Sequence, residues 1–158
     1  MRVAILTVSD AVAQGQREDV SGVAVAARCK ELKFEVVSSA VRADDRDAIE
    51  SVLKTVADSC EADLILTTGG TGLGPRDITP EATVAACERL IPGIAEFIRT
   101  EGLKKTPRAI LSRAVAGIRG ETLIINLPGS PKGALESLNA IAAELPHAID
   151  VIRGARHD

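Results

Sequence analysis

The 158-residue sequence contains no tryptophan or tyrosine and only two phenylalanines. Proteins that bind single-stranded nucleic acid stack bases on aromatic side chains and neutralise phosphates with an excess of Lys and Arg. Here 19 Lys and Arg residues are outnumbered by 22 Asp and Glu residues, and the formal net charge is −3. The composition therefore argues against nucleic acid as a partner.

Long apolar runs and paired cysteines are also absent from the sequence. No apolar segment approaches the ~20 residues that cross a bilayer, and the N-terminus shows no signal-peptide pattern. Three cysteines without a Cys-x-x-Cys pair favour buried thiols over a disulfide framework or a zinc site. We therefore expect a cytoplasmic protein with no membrane partner.

Apolar strand-like segments alternate with helical segments along the chain. The clearest strand candidates are residues 2–8, 34–41, 64–67 and 121–127, whereas 107–117 stays open between helix, strand and loop. Alternating strands and helices predict parallel βαβ units with right-handed crossovers. With 46% hydrophobic residues, the sequence predicts one α/β domain over residues 1–158. We expect three layers: a doubly wound, mostly parallel sheet with helices on both faces.

The segment 64–83 reads LILTTGGTGLGPRDITPEAT and predicts a strand, a glycine loop and a helix. Its glycines at 69, 70, 72 and 74 allow positive φ angles and let backbone N–H groups converge on an anion. Thr79 is the expected N-cap and Pro80 the expected first residue of a helix that reaches about residue 90. A well-capped connection without a ligand is the alternative interpretation. Neither a P-loop nor a dinucleotide fingerprint occurs.

Polar residues follow each of the predicted strands. They are Ser9 and Asp10, then Asp44, then residues 69–77, and finally residues 129–132. Parallel strands end at one edge of a sheet, so we expect these residues to share a rim. Ser130 and Pro131 predict a second helix start, at which Lys132 opposes the helix dipole unless an anion binds there.

Asp44 and Asp77 are candidates to share one Mg²⁺ ion, which accepts one or two carboxylates together with phosphates and waters. Beside anion-binding loops, such a pair suggests phosphoryl or nucleotidyl transfer. The alternatives are that Asp44 or Asp45 caps a helix and that Asp10 and Asp77 form local turns.

Three sequence motifs carry a family resemblance: TTGGTGLGPRDITPEA, ILSRAVAGIRG and LIINLPGSPKG. Together with the opening VSD and the DVSG segment, they resemble the molybdenum cofactor biosynthesis family of MogA, MoaB and the gephyrin G domain. The resemblance extends from Val3 to about Arg153. It implies a molybdopterin adenylyltransferase, in which the terminal phosphate of molybdopterin attacks the α-phosphate of Mg·ATP and pyrophosphate leaves.

The resemblance also assigns roles to individual residues. Asp44 and Asp77 match the family's essential acids, which implies Mg²⁺ binding and organisation of the triphosphate. The other implied contacts are Gly69, Gly70, Thr71 and Gly72 in the glycine loop, Ser112, Gly129, Ser130 and Lys132 around the pterin phosphate, and Ser9, Asp10 and Ser21 around the nucleotide.

The resemblance further implies a homotrimer, with a subunit contact at the apolar segment 91–98, and a downstream molybdate-insertion protein as a further partner. Two alternatives remain: a MoaB-like protein that binds molybdopterin without efficient turnover, and a nucleotide phosphohydrolase like the CinA-type relatives.

Overall fold

The computed structural model of the protein describes residues 1–155; residues 156–158 of the expected domain lie outside the described part. Its centre is a six-stranded sheet with the strand order β2-β1-β3-β6-β5-β4. The strands are β1 (Arg2–Val8), β2 (Glu35–Arg42), β3 (Leu64–Thr68), β4 (Arg89–Leu90), β5 (Ala116–Arg119) and β6 (Thr122–Leu127).

Parallel pairing dominates the sheet. β1 pairs in parallel with β2 on one side and with β3 on the other, and β3 pairs in parallel with β6. β5 and β4 continue the sheet antiparallel, because the chain turns directly from β5 into β6 at residues 120–121 and β4 pairs against β5. The expected mostly parallel sheet is confirmed.

Helices cover both faces of the sheet. They are α1 (Asp10–Ala13), α2 (Val20–Glu31), α3 (Arg46–Asp58), α4 (Thr79–Ala86), α5 (Pro92–Leu103), α6 (Pro131–Ile141) and α7 (Leu145–Ile152), with a short 3-10 helix at Pro107–Leu111. One core cluster joins the sheet to α2, α5, α6 and α7, and a second joins the opposite face to α3 and α4. Successive strand residues alternate between the clusters, as Val3 and Ala4 do. This is the expected three-layer arrangement. No helix among residues 1–155 has the length and apolarity to span a bilayer.

The helix expected to have Thr79 as its N-cap and to reach about residue 90 is wrong at both ends. Thr79 is the first helical residue and Ile78 occupies the N-cap position without a side-chain cap. The buried Thr79 hydroxyl donates instead to the Gly69 carbonyl at 2.9 Å, so it fastens the glycine loop to the helix. The helix ends at Ala86, because Arg89–Leu90 pairs with β5 as an exposed edge strand that carries no apolar pattern.

Candidate active site

A cavity of about 500 Å³ lies beyond the carboxyl ends of the parallel strands. β1 and β3 are neighbours while β2 lies on the far side of β1, so the direction of chain progression reverses between β1 and β3. In open α/β sheets, such a switch point opens a crevice that holds ligands. We call this crevice the acid cavity. Among the residues expected at the site, its wall contains Ser9, Ser21, Asp44, Gly69, Gly70, Asp77, Gly129 and Ser130.

Asp44 and Asp10 fasten the ends of β2 and β1 to each other. The backbone N–H of Asp10 donates to Asp44 Oδ2 at 2.9 Å, and the N–H of Asp44 donates to Asp10 Oδ1 at 3.0 Å. Arg76 of the glycine loop donates two hydrogen bonds to the Asp10 carboxylate, at 3.0 and 2.9 Å. Asp45, not Asp44, caps α3 by accepting from the Ala48 N–H. Asp44 is therefore not the helix cap.

The two carboxylates have pKa values shifted in opposite directions. Burial raises the pKa of Asp44, and the nearby charges of Asp10 and Asp77 act in the same direction. The hydrogen bonds from Arg76, and then from the backbone of Asp44, lower the pKa of Asp10. Asp10 is thus compensated within the protein, whereas the half-buried charge of Asp44 is stabilised further by an added cation.

Asp77 lies beneath the tip of the glycine loop. Its Oδ2 accepts a hydrogen bond from the Gly74 N–H at 2.8 Å, and the Asp77 N–H returns one to the Gly74 carbonyl at 3.0 Å. A Cβ at Gly72 or Gly74 would lie 2.9 or 2.8 Å from the same carboxylate oxygen. The carboxylate bonds back to Gly74 and not forward to the Thr79 N–H, which bonds the Gly70 carbonyl, so Asp77 does not form the expected Asx turn. The missing side chains let the loop close around the carboxylate.

Two glycines of the loop require positive φ. Gly69 and Gly70 have φ angles of +100° and +65°. A Cβ at Gly69 would overlap the carbonyl oxygen of Val8, and one at Gly70 would overlap the hydroxyl of Thr79. The loop therefore packs directly against β1 and α4. The Gly69 N–H donates to the Leu127 carbonyl at 3.2 Å, and Gly70 follows it in the cavity wall.

A second cavity, of about 550 Å³, lies between α5, the 3-10 helix and α6. We call it the α5–α6 cavity. Ser112 lines it, as do the basic side chains Arg99, Lys105 and Arg108. Ser130 lines both cavities, so the N-terminus of α6 lies at their junction. The structure thus separates Ser112 from the acid cavity but brings Ser130 to both.

Four of the expected contacts line neither cavity. Asp10 lies behind Asp44 and pairs with Arg76. Thr71 is buried, Gly72 is half-buried, and Lys132 is exposed at the second position of α6. Ser130 caps α6 by accepting from the Gly133 N–H, as the sequence predicts.

Arg113 is a site residue to which the sequence patterns assign no role, although it lies within the ILSR motif. Its guanidinium donates to the carbonyls of Gly72 and Asp77, at 2.8 and 2.5 Å, and pairs with Glu81 of α4. These partners are distant in sequence, so no local spacing indicates them.

The donor set restricts the kind of cation that fits. No group of three or more His, Cys, Asp or Glu residues within 1–155 forms a metal cluster. Asp44 and Asp77 provide two carboxylates in one cavity. Two carboxylate ligands suit Mg²⁺, which takes one or two protein carboxylates and completes its octahedral coordination with substrate phosphates and waters.

An open α/β sheet with a glycine loop, a helix N-terminus and paired acids at its switch point defines a protein that binds phosphorylated ligands. The family model described as "Probable molybdopterin binding domain" matches residues 4–147. The chain is 43% identical to the molybdopterin adenylyltransferase of Helicobacter pylori over 161 residues, which cover 98% of this chain and 89% of the relative.

Solved structures agree with this match. The molybdopterin biosynthesis enzyme MoaB of Thermus thermophilus is 51% identical with a TM-score of 0.91, over 99% of both chains. A MogA structure is 41% identical with a TM-score of 0.91, over 96% of this chain and 99% of that one. The chain belongs to the molybdopterin-binding family that contains the MogA and MoaB proteins.

Proposed function

We propose that this chain is a molybdopterin adenylyltransferase of molybdenum cofactor biosynthesis. It transfers AMP from Mg·ATP to the terminal phosphate of molybdopterin and releases pyrophosphate. The observation that carries the proposal is the pair Asp44 and Asp77 in one cavity with the glycine loop. The similarity to the H. pylori molybdopterin adenylyltransferase, which covers 98% of this chain and 89% of that protein, supports the same reaction.

The acid cavity takes the nucleotide. The backbone N–H of Gly70 and the hydroxyls of Ser9 and Ser21 are the contacts for its phosphates and ribose, with Gly69 in the wall beside them. Asp44 and Asp77 would hold Mg²⁺, which supplies positive charge to phosphate oxygens as the transferred group becomes more negative.

The α5–α6 cavity takes the pterin. Its wall has three basic residues, Arg99, Lys105 and Arg108, against two acidic ones, Glu101 and Glu136. This excess of positive charge, with the Ser112 hydroxyl, complements an anionic, polar ligand. Its terminal phosphate reaches the nucleotide at Ser130, where the α6 N-terminus favours negative charge. Lys132 in the first turn of α6 adds a cation close to the same point.

The reaction needs little proton transfer from the protein. A phosphate monoester has its second pKa near about 6, so it is already a dianionic nucleophile at neutral pH. The protein's contribution is to align the attacking oxygen with the α-phosphorus and to neutralise charge on the phosphates. Thr71, Gly72 and Asp10 hold the loop and Asp44 in position for this alignment.

The direct test incubates the purified chain with Mg·ATP, with and without molybdopterin. We expect pyrophosphate only when the pterin is present, together with an adenylylated pterin on chromatography. Pyrophosphate or phosphate release without pterin would instead indicate a nucleotide phosphohydrolase.

The second candidate is a MoaB-like protein that binds molybdopterin without efficient turnover. The 51% identity to the T. thermophilus MoaB supports this second candidate. Tight binding of pterin without any adduct would support this candidate and contradict the transferase.

Replacing one acid tests the catalytic assignment. Asp77→Asn keeps the shape but removes one charge, so we expect turnover to fall by about 10²-fold or more. Asp150→Asn, an exposed position on α7, is the matched control and should retain full activity. Wild-type turnover in Asp77→Asn would contradict the role of this carboxylate.

The remaining proposals concern assembly and location. Phe97 on α5 is 46% exposed, which supports a subunit contact at segment 91–98 and hence the homotrimer. A downstream molybdate-insertion protein and a cytoplasmic location complete the proposal. Sedimentation equilibrium distinguishes a trimer from a monomer.

A further inference from the structure

Arg113 connects the two halves of the site. It follows Ser112, which lines the α5–α6 cavity, but its own contacts are with the glycine loop on the other side. The Arg113 N–H donates to the Thr71 carbonyl at 2.9 Å. The guanidinium then bonds the carbonyls of Gly72 and Asp77, and its second edge pairs with the Glu81 carboxylate.

These contacts fix the width of the glycine loop. The loop spans residues 69–78, and Gly72 and Asp77 flank its tip, so one planar cation holds the two sides of the tip at a set separation. Guanidinium is suited to this because its five N–H donors have a rigid geometry. Glu81 lies in the first turn of α4 and holds the guanidinium against that helix. The Asp77 carboxylate thereby acquires a defined position at the acid cavity.

The segment that carries Arg113 is itself fixed on the opposite side. Arg99 of α5 donates to the carbonyls of Ser112 and Ala114, at 3.3 and 2.9 Å. The segment 112–114 is therefore attached to α5 through Arg99, and the glycine loop is attached to this segment through Arg113. Both arginines bond backbone carbonyls, so the link follows main-chain position, and the Glu81 carboxylate additionally holds Arg113.

We infer that Arg113 is a positioning residue, which sets the place of the Asp77 carboxylate by clamping the glycine loop between the two cavities. It lines neither cavity. The expected effect of Arg113 on turnover rests on the proposed function. The position of Asp77 also governs how Mg²⁺ and nucleotide bind, and that binding is measured without any reaction.

The experiment compares Arg113→Gln and Arg113→Lys with a matched control, Arg119→Gln. Arg119 also pairs with a carboxylate, that of Asp58, and also bonds a backbone carbonyl, that of Ala86, but these partners lie outside the glycine loop. Calorimetry measures binding of α,β-methylene-ATP, a non-transferable analogue, over a series of Mg²⁺ concentrations. Turnover is measured in parallel over the same series.

For Arg113→Gln we expect the Mg²⁺ concentration at half-saturation to rise about tenfold and kcat to fall about 10- to 100-fold, as expected when a reacting group moves by about 1 Å. The Kd for molybdopterin should stay within about twofold of wild type. Arg113→Lys should recover little, because a single ammonium cannot span the two carbonyls and Glu81. Arg119→Gln should leave the Mg²⁺ dependence unchanged.

The inference is overturned if Arg113→Gln keeps the wild-type Mg²⁺ dependence, if both Gln variants shift it equally, or if Arg113→Lys restores it fully. If Arg113→Gln does not fold, Arg113→Lys and Glu81→Gln give the same comparison. Absence of adduct from wild-type protein would reject the proposed function, while the binding series would still decide the role of Arg113.

Discussion

Substitution of Gly70 by alanine is a quantitative test of how the glycine loop is built. Gly70 has a φ of +65°, and an added Cβ would overlap the Thr79 hydroxyl and lie 3.1 Å from Asp44 Oδ1. The left-handed backbone costs an L-residue about 1–2 kcal/mol. Displacing the buried Thr79 hydroxyl from the Gly69 carbonyl adds about 1–3 kcal/mol. We expect Gly70→Ala to lower the free energy of unfolding by about 2–5 kcal/mol.

Two other glycines separate these contributions. Gly15 has a φ of +71°, and an added Cβ would have no atom within 4 Å, so Gly15→Ala isolates the backbone strain. Gly93 in α5 has neither a positive φ nor a close neighbour, and Gly93→Ala should be neutral or stabilise by up to about 1 kcal/mol. Urea unfolding of the three variants gives the comparison.

A double-mutant cycle of Gly70→Ala with Thr79→Ala measures the energetic contribution of the overlap between the added Cβ and the Thr79 hydroxyl. Without the hydroxyl, the cost of Gly70→Ala should fall towards that of Gly15→Ala. Equal costs in both backgrounds, or a Gly70→Ala variant no less stable than Gly15→Ala, would refute the packing argument.

Two further predictions concern stability. Burial alone would raise the pKa of Asp63, but hydrogen bonds from the side chain and backbone of Arg2 and the charge of Arg153 hold it below its ordinary value of 3.8. The contribution of Asp63 to the free energy of unfolding is therefore present above about pH 3.8 and is lost as pH falls through the depressed pKa of the folded state. Asp63→Asn should lower the free energy of unfolding by about 1–3 kcal/mol at pH 7. In urea titrations, the difference between the variant and the wild type should shrink on acidification. Ser130→Ala removes the cap bond to the Gly133 N–H and should cost about 1 kcal/mol, whereas an unchanged urea midpoint would contradict the capping role.

Local patterns predicted the parts of the site that are local. The apolar run of β1 is confirmed at residues Arg2–Val8, and the Ser130 cap follows from a serine placed before a proline and a helical pattern. The shared rim of Asp44 and Asp77 followed from topology, since parallel strands end at one edge. These features depend on periodicity and chain direction, which a sequence contains.

Features that depend on distant packing could not be predicted in the same way. Thr79 had the sequence signature of a cap, but burial against the glycine loop redirected its hydroxyl to the Gly69 carbonyl. Strand β4 has two exposed residues, so neither alternation nor a hydrophobic run indicated it. The contacts of Arg113 and the division into two cavities meeting at Ser130 arise only from the folded arrangement.

The walls of the acid cavity come from chain segments as far apart as Ser9 and Ser130. During synthesis the N-terminal part of the chain emerges first, yet it cannot form this cavity until β6 has paired with β3 and α6 has started. Ligand capture is therefore restricted to the completed fold, and partially synthesised or truncated chains compete poorly for scarce substrate. Bound ligand in turn protects the whole chain from proteases, because it stabilises only the fully folded state.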